Sequence, residues 1–282
     1  MLSISARGLL YIRDMKNVSK NLFVLSFTVI ALLLTSMSFA AQANKPVVAK
    51  KLSAKQRQER LTHAKELLGK HYKKSSVRAG ENITKINGLV YKQVRERLPS
   101  EYQILYKMVA QTVIDESYKY KFDPVFLMSV IEGESSWRPE IVGGVGELGL
   151  MQIRPSTAEW IAGKFGLEYN GKDSLLDPVI NIQIGAAFLS YLRDHFDDHA
   201  QLYLAAYNMG QKNVASALSR NKWPKEYPAH VMKFYVGFYE TLGEKLQDQR
   251  TPTSSASNES DAAETTNTTS TSNTIKAIVP LS

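Results

Sequence analysis

Glu134 stands in the stretch Ile131-Glu132-Gly133-Glu134-Ser135-Ser136-Trp137, just beyond an apolar run that follows Asp123-Pro124. A carboxyl at a helix end, beside an indole and a glycine-rich loop (Gly143, Gly144, Gly146, Gly149), is a place where desolvation disfavours the anion. Such a carboxyl keeps its proton near neutral pH and can donate it to a leaving oxygen, which is general acid chemistry. Taken alone, a glutamate is more often a surface charge, so this one needs company. Other constellations are weaker. His195 and His199 stand at i, i+4 with Asp194 and Asp198 nearby, but no glutamate lies between them as in a metalloprotease helix, and a polar helix end accounts for them better. No metal and no cofactor is therefore expected. No Gly-x-Ser-x-Gly nucleophile elbow occurs. The chain has no cysteine, which excludes a thiol nucleophile, thiolate metal sites, disulfides and lipid attachment through an N-terminal cysteine.

The company comes in order along the chain. After Glu134-Ser135 follow Gly149-Leu150-Met151-Gln152-Ile153, Pro155-x-Thr157-Ala158, and Ala205-Ala206-Tyr207-Asn208-x-Gly210. Asp177-Pro178 with Asn181-Ile182 and Gly185 fits the same series. Together these resemble the catalytic domain of the soluble-type lytic transglycosylases, which share the fold of goose-type lysozyme. The likeness covers about residues 100–240. It implies an all-α, lysozyme-like domain that cleaves the bond between N-acetylmuramic acid and N-acetylglucosamine in peptidoglycan glycan strands. Water takes no part in the product-forming step, and a 1,6-anhydro ring is left on the muramic acid. Carried over, Glu134 protonates the glycosidic oxygen and then takes the proton of the attacking 6-hydroxyl. One carboxyl thus does the work that most glycosidases divide between two.

The supporting residues follow from the same likeness. Ser135, Met151, Gln152, Tyr207 and Asn208 become substrate-binding candidates. The amides of Gln152 and Asn208 both donate and accept, which suits acetamido and hydroxyl groups. Tyr207 offers a ring to a sugar face and a hydroxyl near the carboxyl. Leu150 reads as core. Three positions depart from the family pattern. Gly143 stands where a serine is usual, Glu147 where a small residue precedes the Gly-Leu-Met-Gln stretch, and His230 where a late tyrosine aligns. The phenol that should support Glu134 could come from Tyr227 or Tyr235, or be replaced by the His230 imidazole. A water-using muramidase on the same fold would need a second carboxylate, with Glu147 or Asp115 on offer. A catalytically idle glycan-binding or assembly protein would be expected to lose Glu134, which is retained.

The elements that must position these groups read as helices almost throughout. Ser53 with Gln56 forms a capping-box pattern ahead of Leu61, Ala64, Leu68 and Tyr72 at helical spacing. A second stripe runs Ile83, Ile86, Val90, Val94 and Leu98. From Ser100, the stretch Ile104, Leu105, Met108, Val109 and Val113 predicts one helical face. Asp123-Pro124 and Asp177-Pro178 each supply an N-cap with proline at N1. Further helices are predicted through Leu202–Tyr207, stopping at Gly210, and along Val231, Phe234, Tyr235, Phe238 and Leu242.

Charge and the chain ends complete the reading. Residues 44–100 hold 15 Lys/Arg against 4 Asp/Glu, whereas 101–250 hold 15 against 19. The net charge of +8 therefore belongs to the segment before the main domain. No folded module carries a basic recognition face, so no nucleic-acid partner is expected. Residues 44–99 read as a basic helical extension, which either packs its stripe on the next domain or contacts anionic wall polymer or a membrane surface. Lys16 and Lys20, the apolar run Leu22–Leu34 and the small residues Ala40, Ala41 and Ala43 have the order of a secretory signal over 1–43. Met15 is an alternative start, and an uncleaved anchor an alternative fate. Export to the periplasm or cell envelope is the expectation. The domain is expected over 100–248, and the Ser/Thr/Asn-rich stretch 249–282 as a disordered tail.

Overall fold

The local capping signals open helices where they stand. In the computed structural model, which describes residues 53–80 and 83–248, Ser53 and Gln56 exchange both bonds of a capping box at the head of α1 (Ala54–Leu68). α1 stops at Gly69, whose φ of +50° suits glycine. Two short 3₁₀ turns, Gly69–Lys74 and Ser76–Gly80, precede α2 (Ile83–Arg97). After a third 3₁₀ turn, Ser100–Leu105, come α3 (Tyr106–Lys119) and α4 (Pro124–Ser135). α5 (Pro155–Phe165), the 3₁₀ turn Lys172–Leu176 and α6 (Pro178–His195) follow. The series closes with α7 (Ala200–Met209), α8 (Gln211–Ser219) and α9 (Glu226–Asp248). Among the described residues there is no strand, only isolated bridges that pair Val142 with Leu148 and Leu148 with Ile153. The architecture is all-α, as its period implies. The signal-like segment 1–43, residues 44–52 and the tail 249–282 lie outside the described residues.

α4 is apolar all round and therefore central. Val125, Phe126, Leu127, Met128, Val130 and Ile131 are fully buried. α9 lies along it most extensively, and α2 and α3 also pack on it. One core runs through every part of the described chain, from Ala64 and Leu67 of α1, through Ile86, Val90 and Val94 of α2, to Val231, Tyr235 and Tyr239 of α9. The basic extension thus packs its stripe into the same core as the helices after residue 100. Among the described residues its cations stay outside, with one exception.

That exception sits at the head of α4. Asp123 is fully buried, and its Oδ1 accepts the Val125 N–H at 3.0 Å as the N-cap. Its Oδ2 accepts from Tyr235 at 2.9 Å, Tyr239 at 2.6 Å and the Arg60 guanidinium at 3.3 Å. Arg60 is equally buried and also donates to Tyr239 at 3.0 Å. A buried carboxylate needs such donors and an opposite charge to remain ionised. Beside it the Asp123 N–H donates to His63 Nδ1 at 3.0 Å, which places the His63 proton on Nε2, 3.1 Å from the Tyr203 hydroxyl. Burial, with the Arg193 charge in support, holds His63 well below its usual pKa and keeps it neutral.

Two expectations need correction. Tyr72 falls not on α1 but on the 3₁₀ turn after it, because Gly69 ends the helix, although the ring is still buried. Ile104, expected on a buried helical face, is 75% exposed. Residues 100–105 form a 3₁₀ turn of three residues per turn, so Ile104 leaves the face that Val109 and Val113 bury.

Candidate active site

Glu134 is the last residue but one of α4, a helix whose start is fixed by Asp123 and Pro124. Ser136 (φ 48°) and Trp137 (φ 64°) then adopt the left-handed region in succession, so the helix ends abruptly. Neither residue is glycine, and such conformations cluster where geometry is held for function. They are held here by the Trp137 ring, which is fully buried with Nε1 donating to Glu132 Oε2 at 2.7 Å.

Glu134 is partly buried, and its pKa is pushed up to about 7. Loss of hydration is the main cause. The Tyr227 hydroxyl, which donates to Glu134 Oε1, works in the opposite direction, and the negative charge of Glu147 adds to the rise. Of the three candidates for the supporting group, Tyr227 is therefore the one that touches the carboxyl. Tyr235 donates instead to Asp123, at the opposite end of α4. His230 is exposed, meets Phe234 edge to face, and borders Gly133, where an added Cβ would stand 3.3 Å from its Cδ2.

The loop after Trp137 forms the opposite wall. Its two bridges fold Val142–Ile153 back on itself, and Gln152 takes a φ of 48°. Gln152 Nε2 donates to the carbonyls of Ile141 and Gly149 at 3.2 and 2.9 Å. A Cβ on Gly143 would meet Glu147 Oε2 at 2.5 Å and Gln152 Oε1 at 2.6 Å. Glycine at 143 and glutamate at 147 are thus one coupled departure, since the glutamate side chain fills the space that a side chain at 143 would need. Glu147 in turn accepts the Val145 N–H at 3.1 Å, with Arg154 Nε 3.9 Å away.

Asn181 on α6 fastens this loop from behind. It is fully buried, accepts the Met151 N–H at 2.7 Å, and donates to the carbonyls of Leu148 and Leu175 at 2.8 and 2.9 Å. Gly149, at φ +77°, leaves the room, since a Cβ there would stand 2.3 Å from Asn181 Nδ2 and from the Leu175 carbonyl. Asn181 follows the Asp177-Pro178 cap at a spacing visible in the sequence, but its role as a loop fastener depends on contacts 30 and more residues away.

Between these walls lies a cavity of about 520 Å³, lined by Glu134, Glu147, Gln152, Thr157, Phe188 and Asn208 among others. Tyr207 also lines it, but its hydroxyl donates to the Met151 carbonyl at 2.7 Å rather than to Glu134. Two substrate-binding candidates do not reach the cavity with their side chains. Ser135 is 1% exposed and donates to the Ile131 carbonyl, as a serine near a helix end does when turned inward. Met151 is fully buried against Gly185, where an added Cβ would lie 2.4 Å from its sulfur. Among the described residues no three His, Asp or Glu side chains converge as metal ligands. His195 packs on Tyr191 and Phe196, and His199 on Trp223.

An arrangement of this kind offers one carboxyl that is still partly protonated at neutral pH, a phenol on it, and amides across a groove. Residues 111–229 match the family model described as Transglycosylase SLT domain. The soluble lytic murein transglycosylase of Escherichia coli K12 is 32% identical over 160 residues, covering 56% of this chain and 23% of that protein. The transglycosylase of Enterobacteria phage PRD1 is 35% identical over 123 residues, 44% of this chain and 41% of its own length. Among solved structures, an inactive variant of the lytic transglycosylase Slt from Pseudomonas aeruginosa is 28% identical with a TM-score of 0.42, covering 49% of this chain and 24% of that one. The 70 kDa soluble lytic transglycosylase of Escherichia coli is 23% identical with a TM-score of 0.43, over 64% and 32%. The chain spans about a quarter of the length of the curated soluble relatives it matches. The segment 111–229, which matches the transglycosylase SLT domain model, carries both Glu134 and Tyr227.

Proposed function

We propose that this chain is a peptidoglycan lytic transglycosylase, a carbon–oxygen lyase in which Glu134 acts as acid and then as base. The observation that carries the reading is the Glu134 carboxyl itself, opening on the cavity with its pKa raised to about 7 and the Tyr227 hydroxyl on Oε1. In the first step the protonated Glu134 gives its proton to the glycosidic oxygen as the bond to the muramic acid carbon breaks. The substrate's own acetamido group stabilises the positive charge that develops there. Glu134, now anionic and held by Tyr227, takes the proton from the 6-hydroxyl as that oxygen closes the anhydro ring. The donor for the first half becomes the acceptor for the second, and the enzyme ends as it began.

Gln152 and Asn208 are the polar groups of this site that would read the sugar substituents, with Tyr207 presenting its ring. Glu147 lines the same cavity, but its carboxylate accepts a backbone N–H, and its charge favours the protonated form of Glu134. That role supports the acid step and needs no activated water. Export to the periplasm or cell envelope, read from 1–43, belongs to the same proposal. So does contact between the basic segment 44–99 and an anionic wall or membrane surface.

Glu134→Gln tests the reading. It keeps the shape and removes the proton, so clearance of purified peptidoglycan should slow by on the order of 10²–10⁴ with folding intact. Near-wild-type clearance by the purified variant would refute the assignment.

A further inference from the structure

The two helices that form one wall of the cavity continue outward with aromatic residues. α5 gives Thr157 to the cavity and places Trp160 three residues later, and α6 gives Phe188 and then Tyr191. Residues three apart share a helix face, and at about 1.5 Å per residue three residues advance about 4.5 Å. That advance is roughly the length of one pyranose in an extended β-1,4 strand.

The rings are in contact along the way. Tyr227, with its hydroxyl on Glu134, stacks at 6.4 Å from Tyr207, which lies 5.3 Å from Phe188. Trp160 meets Phe188 at 6.5 Å and Tyr191 at 4.7 Å, both edge to face. An unbroken file of rings therefore leads from the carboxyl to the surface. Tyr191 is partly buried with Lys164 Nζ over its ring at 5.5 Å, which leaves Trp160 as the open member, 45% exposed. Two edge contacts fix the orientation of this indole while its own surface stays in water. Core packing does not account for such a residue, and a rigid aromatic is a good anchor because little entropy is lost when it binds.

We propose that Trp160, braced by Phe188 and Tyr191, is a stacking platform for a further sugar ring of the same glycan strand, beyond the cavity that holds the bond to be cut. The proposal rests on the reading of that cavity as a glycan site. The chemistry fits because a β-1,4-linked pyranose carries its polar substituents at its edges and presents axial C–H groups on its face. The face covers the indole while the edges stay hydrated. The platform adds binding energy at a distance from the reacting carbon, and short strands do not collect it.

The experiment uses the full chain carrying Glu134→Gln, so that saccharides bind without turnover. Calorimetric titration with a GlcNAc–MurNAc disaccharide and with the corresponding octasaccharide is compared with and without Trp160→Ala. The expected result is about a tenfold weaker octasaccharide Kd, equivalent to about 1.4 kcal/mol, with the disaccharide unchanged. Trp160→Phe should recover most of the loss. The Trp160 indole N–H signal should move with the octasaccharide, while that of the exposed Trp223 stays still. Equal affinities with and without Trp160→Ala at both lengths would overturn the platform, as would an equal loss at both. Loss of binding to anionic lipid vesicles with glycan affinity intact would overturn it in favour of a membrane surface. Absence of saccharide binding to the Glu134→Gln chain at any length would sink the glycan-site reading itself.

Discussion

Tyr227 and Glu147 pull the Glu134 proton in opposite directions, and burial outweighs both. The first step needs the protonated acid, so kcat/KM should fall as pH rises through about 7. Tyr227→Phe removes the contact that lowers the pKa. Its alkaline limb should move to higher pH while the plateau rate drops about tenfold or more, because the anion loses its hydrogen bond. Glu147→Gln should move the same limb to lower pH. His230→Tyr should give a profile superimposable on wild type, since the imidazole faces Gly133 and Phe234. Stability carries the same signature. A raised carboxyl pKa means that the folded chain holds a proton the unfolded chain has lost between about pH 4.5 and 7, so this contribution is present at low pH and disappears as pH rises through 7. Glu134→Gln should therefore melt a few degrees above wild type at pH 8 and close to it at pH 4. Glu134 was legible in the sequence because its motifs are local. The choice among Tyr227, His230 and Tyr235 was not, because it turns on the rotation of α9 against α4 at 93 residues' separation.

α4 and α9 form a pair fastened at both ends. Tyr227 holds Glu134 at one end, and Tyr235 and Tyr239 hold Asp123 at the other. Arg60, from α1, supplies the positive charge at the second fastening. Arg60, Tyr235 and Tyr239 all lie outside the segment 111–229 that matches the family model. The first helix is therefore part of what positions the carboxyl. Arg60→Met should leave Asp123 buried without its cation and cost about 3–5 kcal/mol in denaturant unfolding. Removing residues 44–97 should leave a chain that does not unfold cooperatively, since the core then loses Ala64, Leu67, Ile86, Val90 and Val94. The Asp-Pro caps and the Ser53–Gln56 box were readable from sequence because each signal spans a few residues. Asp123 gives no sign in the sequence of being more than a cap, since its other partners come from 63 and 112 residues away and beyond.

At the scale of the molecule, the two signs of charge are divided between a basic early segment and a mildly acidic remainder. Because the early helices are part of the core, a wall- or membrane-binding role for them is tested by charge and not by deletion. Lys55, Arg57, Lys73 and Lys74 are exposed, and changing all four to Gln should weaken sedimentation with cell walls at low salt without moving Tm. Unaltered sedimentation would leave these cations as solvation alone. Composition showed where the charge lies, but the merging of the extension with the domain came from packing that no local pattern encodes. The central claim, one carboxyl and no water, is read most directly in the products. Mass analysis of muropeptides from digested peptidoglycan should find every new muramic acid end as the 1,6-anhydro form, one water lighter than a reducing end, and none from the Glu134→Gln chain. New reducing ends made by the wild-type chain would contradict the account and make the enzyme a hydrolase.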